Sequence, residues 1–380
     1  MSTSGKILLV AVVALLLIGV VMLFSASPSQ AEAKGFDAFY YVKRQLLWLA
    51  VGLAAMAAGA RFDIVRFASG RWRWVLYFGA FACLLAVFAP VVGLSVKGAH
   101  RWIRFGPATF QPSEIAKFAL IVFLAGLFAE TKLAKETYLG KCRKAILQPG
   151  AAFLLLAVPL VLEPDYGTTI LMAMTTCAMM FAAGAPVLPL LVLGLIGASG
   201  MSFIIWHNPE RVGRLLAFLD PEAHAADDAY QLLNSIYGFA IGGLSGKGLA
   251  GGIQKLFYLP EAHTDFIFAV IAEEMGIAGT LLVLVLFGVV CLCGYRIAGR
   301  ARTMEGRYIA FGITTLVTLQ AFLNMGVVTG QLPTKGLPLP FISYGGTSLA
   351  VTLLMTGVLL RPSSSRKARR NIFPTMRGKI

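Results

Sequence analysis

ILLVAVVALLLIGVVMLF, residues 7–24, is an unbroken apolar run. Crossing the hydrocarbon core of a bilayer takes about 20 apolar residues as helix, whereas the apolar core of a secretion signal spans only roughly 7–15. The run is therefore read as a retained membrane span. Outward from it the same signature recurs near 45–60, 74–93, 113–130, 147–163, 167–183, 188–206, 266–293, 308–330 and 347–360. The 380-residue chain is 58% hydrophobic and 13% charged, with a mean hydropathy of +0.77, whereas soluble domains carry roughly 25% charged residues. This pattern predicts an all-α polytopic membrane protein of about ten transmembrane helices, forming one membrane domain over 1–360.

The net charge of +15 raises nucleic acid as a partner and the distribution argues against it: the basic residues fall in short clusters between apolar runs. Of the 33 Lys and Arg, 21 lie at Lys6, in 61–74, 131–146 and 294–307, and in the tail 361–380. The positive-inside rule makes those segments cytoplasmic, and ten spans then put both termini on that side. The tail RPSSSRKARRNIFPTMRGKI reads as a basic cytoplasmic anchor against anionic headgroups. Three segments remain outside: 94–112, a large loop 207–265 between the seventh and eighth spans, and 331–346. Within the large loop, RVGRLLAFLDP and YQLLNSIYGFAIGG predict helices lying along the interface, with Asp227 and Asp228 at its most exposed point. Cys83, Cys142, Cys177, Cys291 and Cys293 are odd in number and lack metal-site spacing, so they read as packing residues.

Ionisable groups inside a bilayer are costly, so each is a functional hypothesis. FQPSEIAKFAL, 110–120, sets Glu114 and Lys117 three apart on one helical face, either as an ion pair fixing packing or as the polar lining of a cavity. Glu163 and Asp165 in EPDYGTT, 163–169, stand at an outer boundary, where a short acidic turn is also an ordinary connection. Glu273 and Glu274, placed about two turns into the eighth span, require at least one carboxylate to face protein or water. In YLPEAHTDFIF, 258–268, His263 and Asp265 sit where the outer loop enters the membrane. A partly shielded Asp265 suits a general base, and capping of the eighth span by Thr264 or Asp265 is the alternative. TKGLPLPFISYGGTS, 334–348, offers Lys335, Ser343, Gly345 and Gly346, whose rigid turns and backbone amides suit phosphate oxygens. GLSGKGLAGGIQK, ending at Lys255, has similar character without the P-loop order. With Arg101 and Arg104 on the same side, these residues point to an anionic ligand outside the membrane.

KGAHRWIRFGPATFQPSEIAK, EPDYGTT, YLPEAHTDFIFAVIAEEMG and KGLPLPFISYGGTS together resemble the SEDS proteins of shape, elongation, division and sporulation, in the expected order over most of the chain. The division and sporulation branches are closer in pattern than rod elongation. GFAIGGLSGKG, 238–248, departs from an AIGSGG-like run of relatives. The resemblance implies ten helices with a large outer loop, polymerisation of lipid II into peptidoglycan glycan strands, and work beside a class B penicillin-binding transpeptidase and other division or elongation membrane proteins. It makes Asp265 the essential carboxylate, with the diphosphate met by Arg101, Arg104, Lys335 or Lys255. A divalent cation, Mg2+ or Mn2+, is compatible with sharing that charge, although no ligand cluster is visible. A lipid II flippase and a noncatalytic scaffold for the transpeptidase share the composition and differ in making no glycan product.

Overall fold

The computed structural model describes residues 2–90, 92–96, 99–105, 108–131, 136–225 and 229–361. In chain order the helices are α1 (Thr3–Ala26), α2 (Pro28–Ala33), α3 (Tyr40–Arg61), α4 (Ile64–Ser69), α5 (Trp72–Ala86), α6 (Pro112–Glu130), α7 (Tyr138–Cys142), α8 (Gln148–Leu162), α9 (Tyr166–Ala182) and α10 (Val187–Trp206). Then follow α11 (Pro209–Leu219), α12 (Tyr230–Gly242), α13 (Ile267–Gly299), α14 (Met304–Val328) and α15 (Gly346–Leu360). The ten apolar runs fall on α1, α3, α5, α6, α8, α9, α10, α13, α14 and α15. Taking α7 and α8 as one continuous segment, six helices are long and apolar enough to cross a membrane, and α5, α9 and α15 are shorter apolar helices. α3 is as long as a span but carries Lys43, Arg44 and Arg61 at its ends. This is a multi-pass membrane protein.

Local chemistry sets the helix starts. Ser2 accepts a hydrogen bond from the Gly5 amide, 3.1 Å, at the head of α1, and Pro112 supplies the preset φ that suits the first turn of α6. In the packed bundle α6 and α14 are central, 83% and 72% buried over their most apolar windows, whereas α10 is peripheral with none. Polar side chains on α6 and α14 therefore face protein. α3 and α15 approach closely at small residues, as membrane helices do where van der Waals packing drives association. A Cβ at Gly357 would lie 2.0 Å from the Met56 carbonyl oxygen, and one at Gly59 would lie 2.6 Å from that of Leu354.

Two features correct the sequence reading. The purely helical expectation misses a three-stranded antiparallel sheet, β1 (Gly93–Val96), β2 (Ala99–Phe105) and β3 (Ala108–Phe110), in which Ile103 pairs with Gly93 and with Phe110. Side-chain alternation puts Arg101 on the face of the buried Ile103 and Arg104 on the opposite, exposed face.

The second correction concerns α13, which breaks at Gly276, φ 65° and ψ −164°. The Lys247 and Gly248 amides donate to the Glu273 and Glu274 carbonyls freed by the break, at 2.9 and 3.0 Å, while the Ile277 amide donates to Gly243 O at 2.9 Å. At 1.5 Å per residue the helix after the break, 277–299, runs about 35 Å, enough by itself to cross a core of about 30 Å. Glu273 and Glu274 therefore belong to the short helical piece before the break, and not to an uninterrupted eighth helix. α11 and α12 supply the helices expected in 207–265, and exposed Leu215, Leu216 and Leu219 on α11 suit the interface. Asp227, Asp228 and the tail beyond Arg361 lie outside the described residues.

Candidate active site

Asp265 sits one residue before the N-cap of α13, and its position is fixed from beneath. On α14, Gln320 and Asn324 are four residues apart and share a face. The Asn324 amide donates from Nδ2 to two carbonyl oxygens, Asp265 O and Leu337 O, each at 2.7 Å. Gln320 Nε2 donates to Pro338 O at 2.9 Å, and its Oε1 accepts from Lys117 Nζ at 3.0 Å. Lys117 in turn pairs with Glu114 at 2.8 Å. All four side chains are buried. The structure favours the packing reading of Glu114 and Lys117: the pair ties α6 to α14 through Gln320, one turn from the Asn324 amide that holds the Asp265 backbone.

A second set of bonds ties 261–266 to 339–345. Ser343 Oγ accepts from the Leu339 amide at 2.8 Å and donates to Thr264 O at 2.6 Å. The Tyr344 amide donates to His263 O at 3.0 Å. From α3, Gln45 Nε2 donates to Ser343 O at 3.2 Å. The Thr264 hydroxyl donates to Glu261, not to α13, whose N-cap position is taken by Phe266.

Several residues expected to touch substrate lie behind the surface. Ser343 is buried with its hydroxyl bonded internally, and buried His263 packs between the rings of Tyr41 and Tyr344, with centroids at 4.6 and 5.7 Å. A Cβ at Gly346 would meet Trp48 Nε1 at 2.3 Å, so the missing side chain makes room for the indole. Gly345 donates its amide to Gln45 Oε1 at 3.4 Å. These four act through the loops they hold.

What faces outward beside Asp265 is Gly336, where a Cβ would stand 3.1 Å from Asp265 Oδ2. Any side chain at 336 would crowd that carboxylate oxygen. Its neighbour Lys335 is partly buried, and burial pushes its ammonium pKa down. Lys335 is the one Lys or Arg in the 334–345 segment.

Lys255, Glu273 and Glu274 form a separate cluster. Lys255 Nζ lies 2.6 Å from Glu274 Oε1 and 2.7 Å from Ser25 Oγ on α1, and both ionic side chains are buried. Glu273 accepts from the Ile253 amide at 2.7 Å and the Gln254 amide at 3.1 Å, while Glu274 Oε2 accepts from the Ala250 amide at 3.1 Å. The expectation that Lys255 meets a diphosphate is corrected by this pairing, because its ammonium is committed to a buried carboxylate. The two glutamates, expected to line a cavity, instead organise the glycine-rich loop across the Gly276 break and fasten it to α1.

On the same side of the molecule, Arg101 reaches the 163–166 turn, donating from Nε to Glu163 O at 3.1 Å and from Nη2 to Pro164 O at 2.6 Å. Glu163 and Asp165 are buried there, and Asp165 Oδ1 accepts from the Thr168 amide at 3.3 Å, capping α9. Burial first, and the Asp165 charge second, push the Glu163 carboxyl up to about 8 against the opposing pull of Arg101. Gly167 packs on Leu337, where a Cβ would come within 3.2 Å, so the turn adjoins the strip that flanks Asp265.

Among the described residues no group of three or more His, Cys, Asp or Glu stands together as a metal site. A cavity of about 520 Å³ lined by Ser2, Asp63, Arg300 and Arg361 opens at the opposite end of the bundle, away from these residues. Gln45, Gln320, Asn324 and Gly336 escaped the sequence reading. The signal for Gln320 and Asn324 was two amides at helical spacing inside an apolar run, a pattern as costly in lipid as a charge when unpartnered.

The chain matches the FtsW/RodA/SpoVE family of cell cycle proteins over residues 6–368. It is 41% identical over 367 residues to a probable peptidoglycan glycosyltransferase FtsW of Geobacter metallireducens, covering 95% of each chain. It is 40% identical over 365 residues to stage V sporulation protein E of Bacillus subtilis, covering 95% of this chain and 97% of that protein. Among solved structures it is similar, with a TM-score of 0.76 and 28% identity over 93% of this chain and 95% of the other, to a chain described for its structural coordination of polymerization and crosslinking by a peptidoglycan synthase complex. The rod shape determining protein RodA of Thermus thermophilus gives a TM-score of 0.66 at 26% identity, covering 93% of this chain and 94% of that one.

Proposed function

The chain belongs to the FtsW/RodA/SpoVE family of cell cycle proteins and is a peptidoglycan glycosyltransferase, and from that premise we propose that it polymerises lipid II into β-1,4 glycan strands with Asp265 as the general base. The observation that carries the reading is the Asn324 amide, which fixes the Asp265 backbone to the 336–338 strip at 2.7 Å on each side. The residue is thereby held at its backbone, and its carboxylate lies beside a glycine.

The chemistry is a single displacement. Asp265 takes the proton of the acceptor GlcNAc 4-hydroxyl as its oxygen attacks the anomeric carbon of the donor MurNAc. The bond from that carbon to the diphosphate oxygen breaks, and undecaprenyl diphosphate leaves with the electron pair. One inversion converts the α-linked donor into the β-linked glycan, and one base suffices, as in inverting glycosidases. We assign Lys335 to the charge that develops on the leaving oxygen, with Arg104 as a further exposed cation. In this reading the site faces outward from the bacterial cytoplasmic membrane during septal wall synthesis. The basic segments at the opposite end support that orientation. The similarity to a chain of a peptidoglycan synthase complex supports a class B penicillin-binding transpeptidase as partner.

The test is glycan synthesis from lipid II by the detergent-purified protein, alone and with a class B transpeptidase, comparing wild type with Asp265→Asn. Polymer from wild type, with lipid II binding but no polymer from the variant, is the expected result. Wild-type turnover in Asp265→Asn removes the base assignment, and movement of unchanged lipid II between leaflets without polymer replaces the enzyme reading with transport.

A further inference from the structure

Two guanidinium groups from distant parts of the chain converge on one carbonyl oxygen. Arg101 on β2 and Arg211 in the first turn of α11 both donate to Pro164 O, at 2.6 and 3.3 Å. Neither forms an ion pair among the described residues. Arg211 lies over the Tyr166 ring at 4.5 Å, and its Nε is buried without a hydrogen-bond partner. Its pKa is pushed down by burial and then by the neighbouring positive charges of Arg214 and Arg101. Arg214 is itself paired with Glu210 at 2.7 Å. Of the acids nearby, Glu163 has its carboxyl pushed up by burial and by the Asp165 charge, Asp165 caps α9, and Glu210 pairs with Arg214, so neither guanidinium has a carboxylate paired to it among the described residues. Two cations sharing an acceptor, with donors to spare and no carboxylate of their own, form an arrangement that an anion completes.

We propose that Arg101 and Arg211 form a diphosphate subsite at the membrane interface, distinct from the Lys335 position, that holds the lipid-linked diphosphate of the acceptor substrate. α11 carries Leu215, Leu216 and Leu219 exposed beside Arg211, which sets the guanidinium at headgroup level and suits a lipid-borne anion. The planar, forked donors of arginine match phosphate oxygens better than an ammonium does. The assignment to the acceptor rests on the glycosyltransferase reading and on the chemistry of that reaction. The donor's diphosphate is bonded to the very carbon under attack and so lies within the reacting centre, across that carbon from the attacking hydroxyl and its base. The acceptor's hydroxyl and its own diphosphate stand at opposite ends of a disaccharide. The Arg101–Arg211 pair lies on a turn that meets the Asp265 strip at Leu337, through Gly167.

The experiment compares wild type, Arg211→Ala and Arg211→Lys in three measurements: steady-state polymerisation of lipid II, direct binding of undecaprenyl diphosphate and of inorganic pyrophosphate, and thermal unfolding. Arg211→Ala is expected to raise KM for lipid II and weaken binding of both diphosphates by at least about tenfold, the effect of losing one hydrogen bond to a charged group, with kcat within about twofold of wild type. Arg211→Lys should recover only part of the loss, because it keeps charge without the fork. A fall in kcat and melting temperature with diphosphate binding unchanged overturns the subsite and makes the pair a brace for the turn. Weakened pyrophosphate binding with undecaprenyl diphosphate binding unchanged overturns the lipid-linked assignment. If wild type makes no glycan, the enzyme reading fails by that measurement alone, and the binding arms still decide the subsite.

Discussion

Replacing Asn324 by leucine removes both bonds that fix the Asp265 backbone while nearly preserving volume. The wild-type amide is buried and donates to Asp265 O and Leu337 O at 2.7 Å each. Each neutral hydrogen bond contributes about 1 kcal/mol net, and each buried carbonyl left without a donor costs about 1–3 kcal/mol. The two bonds together therefore set a penalty of about 2–6 kcal/mol. If the loops stay in place the penalty appears as lost stability. If they shift to find water, Asp265 moves with them, and a displacement near 1 Å costs on the order of 100-fold in rate. Asn324 makes no contact with substrate in this mechanism, so the expected pattern is a kcat reduced on the order of 100-fold with KM for lipid II little changed. The assay is glycan formation from lipid II at varied concentration, with thermal unfolding on the same preparations. A folded Asn324→Leu protein with wild-type kcat refutes the positioning argument. A lowered melting temperature with unchanged kcat would make the amide a stability feature alone.

Two further perturbations probe charges away from the base. Lys255→Met leaves Glu274 buried without its ammonium, an uncompensated charge that costs about 3–5 kcal/mol, and Lys255→Met with Glu274→Leu should cost less than the sum of the single changes. Thermal unfolding of the four proteins checks this, and strict additivity would deny the coupling. For Glu163, a carboxyl raised from 4.5 to about 8 in the folded protein, the associated stability is present below pH 4.5 and is lost progressively as pH rises to about 8. Wild type should therefore lose stability relative to Glu163→Gln by about 1.4 kcal/mol per pH unit between pH 5 and 8, levelling off above that. Parallel unfolding profiles for the two proteins across that window would show that Glu163 ionises normally.

Ten helices were legible in the sequence because apolar length is a local property, read without knowing what packs against what. Asp265 was legible for a related reason: a carboxylate at the mouth of a span is conspicuous against an apolar background. Gly276 was not, because the apolar run continues through the break, and only the amides of 247 and 248 on the freed carbonyls reveal that the helix has ended. That hidden break is why Glu273 and Glu274 read as part of an uninterrupted eighth helix. Lys255 read as a free cation because its partner lies 19 residues away across a loop. Arg211 was seen only as part of an interfacial helix, since its meeting with Arg101 depends on β2 alternation and on the packing of two outer segments over one turn.

The amides of Gln320 and Asn324 show why the site belongs where it is. Irregular backbone at membrane depth persists only where protein or trapped water satisfies its polar groups. The 334–345 segment is irregular, and its carbonyls at Leu337 and Pro338 point toward α14. An apolar α14 would leave them unpaired, so the fold requires donors at 320 and 324 before any chemistry is considered. Once present, those donors have a definite orientation, because both partners of Asn324 Nδ2 are acceptors and Gln320 Oε1 is already taken by Lys117. The amides cannot rotate without breaking bonds, and the ion pair with Glu114 keeps Lys117 from leaving. The requirement to satisfy buried backbone therefore also fixes the position of Asp265, the proposed base, and a variant that relaxes the first should misplace the second.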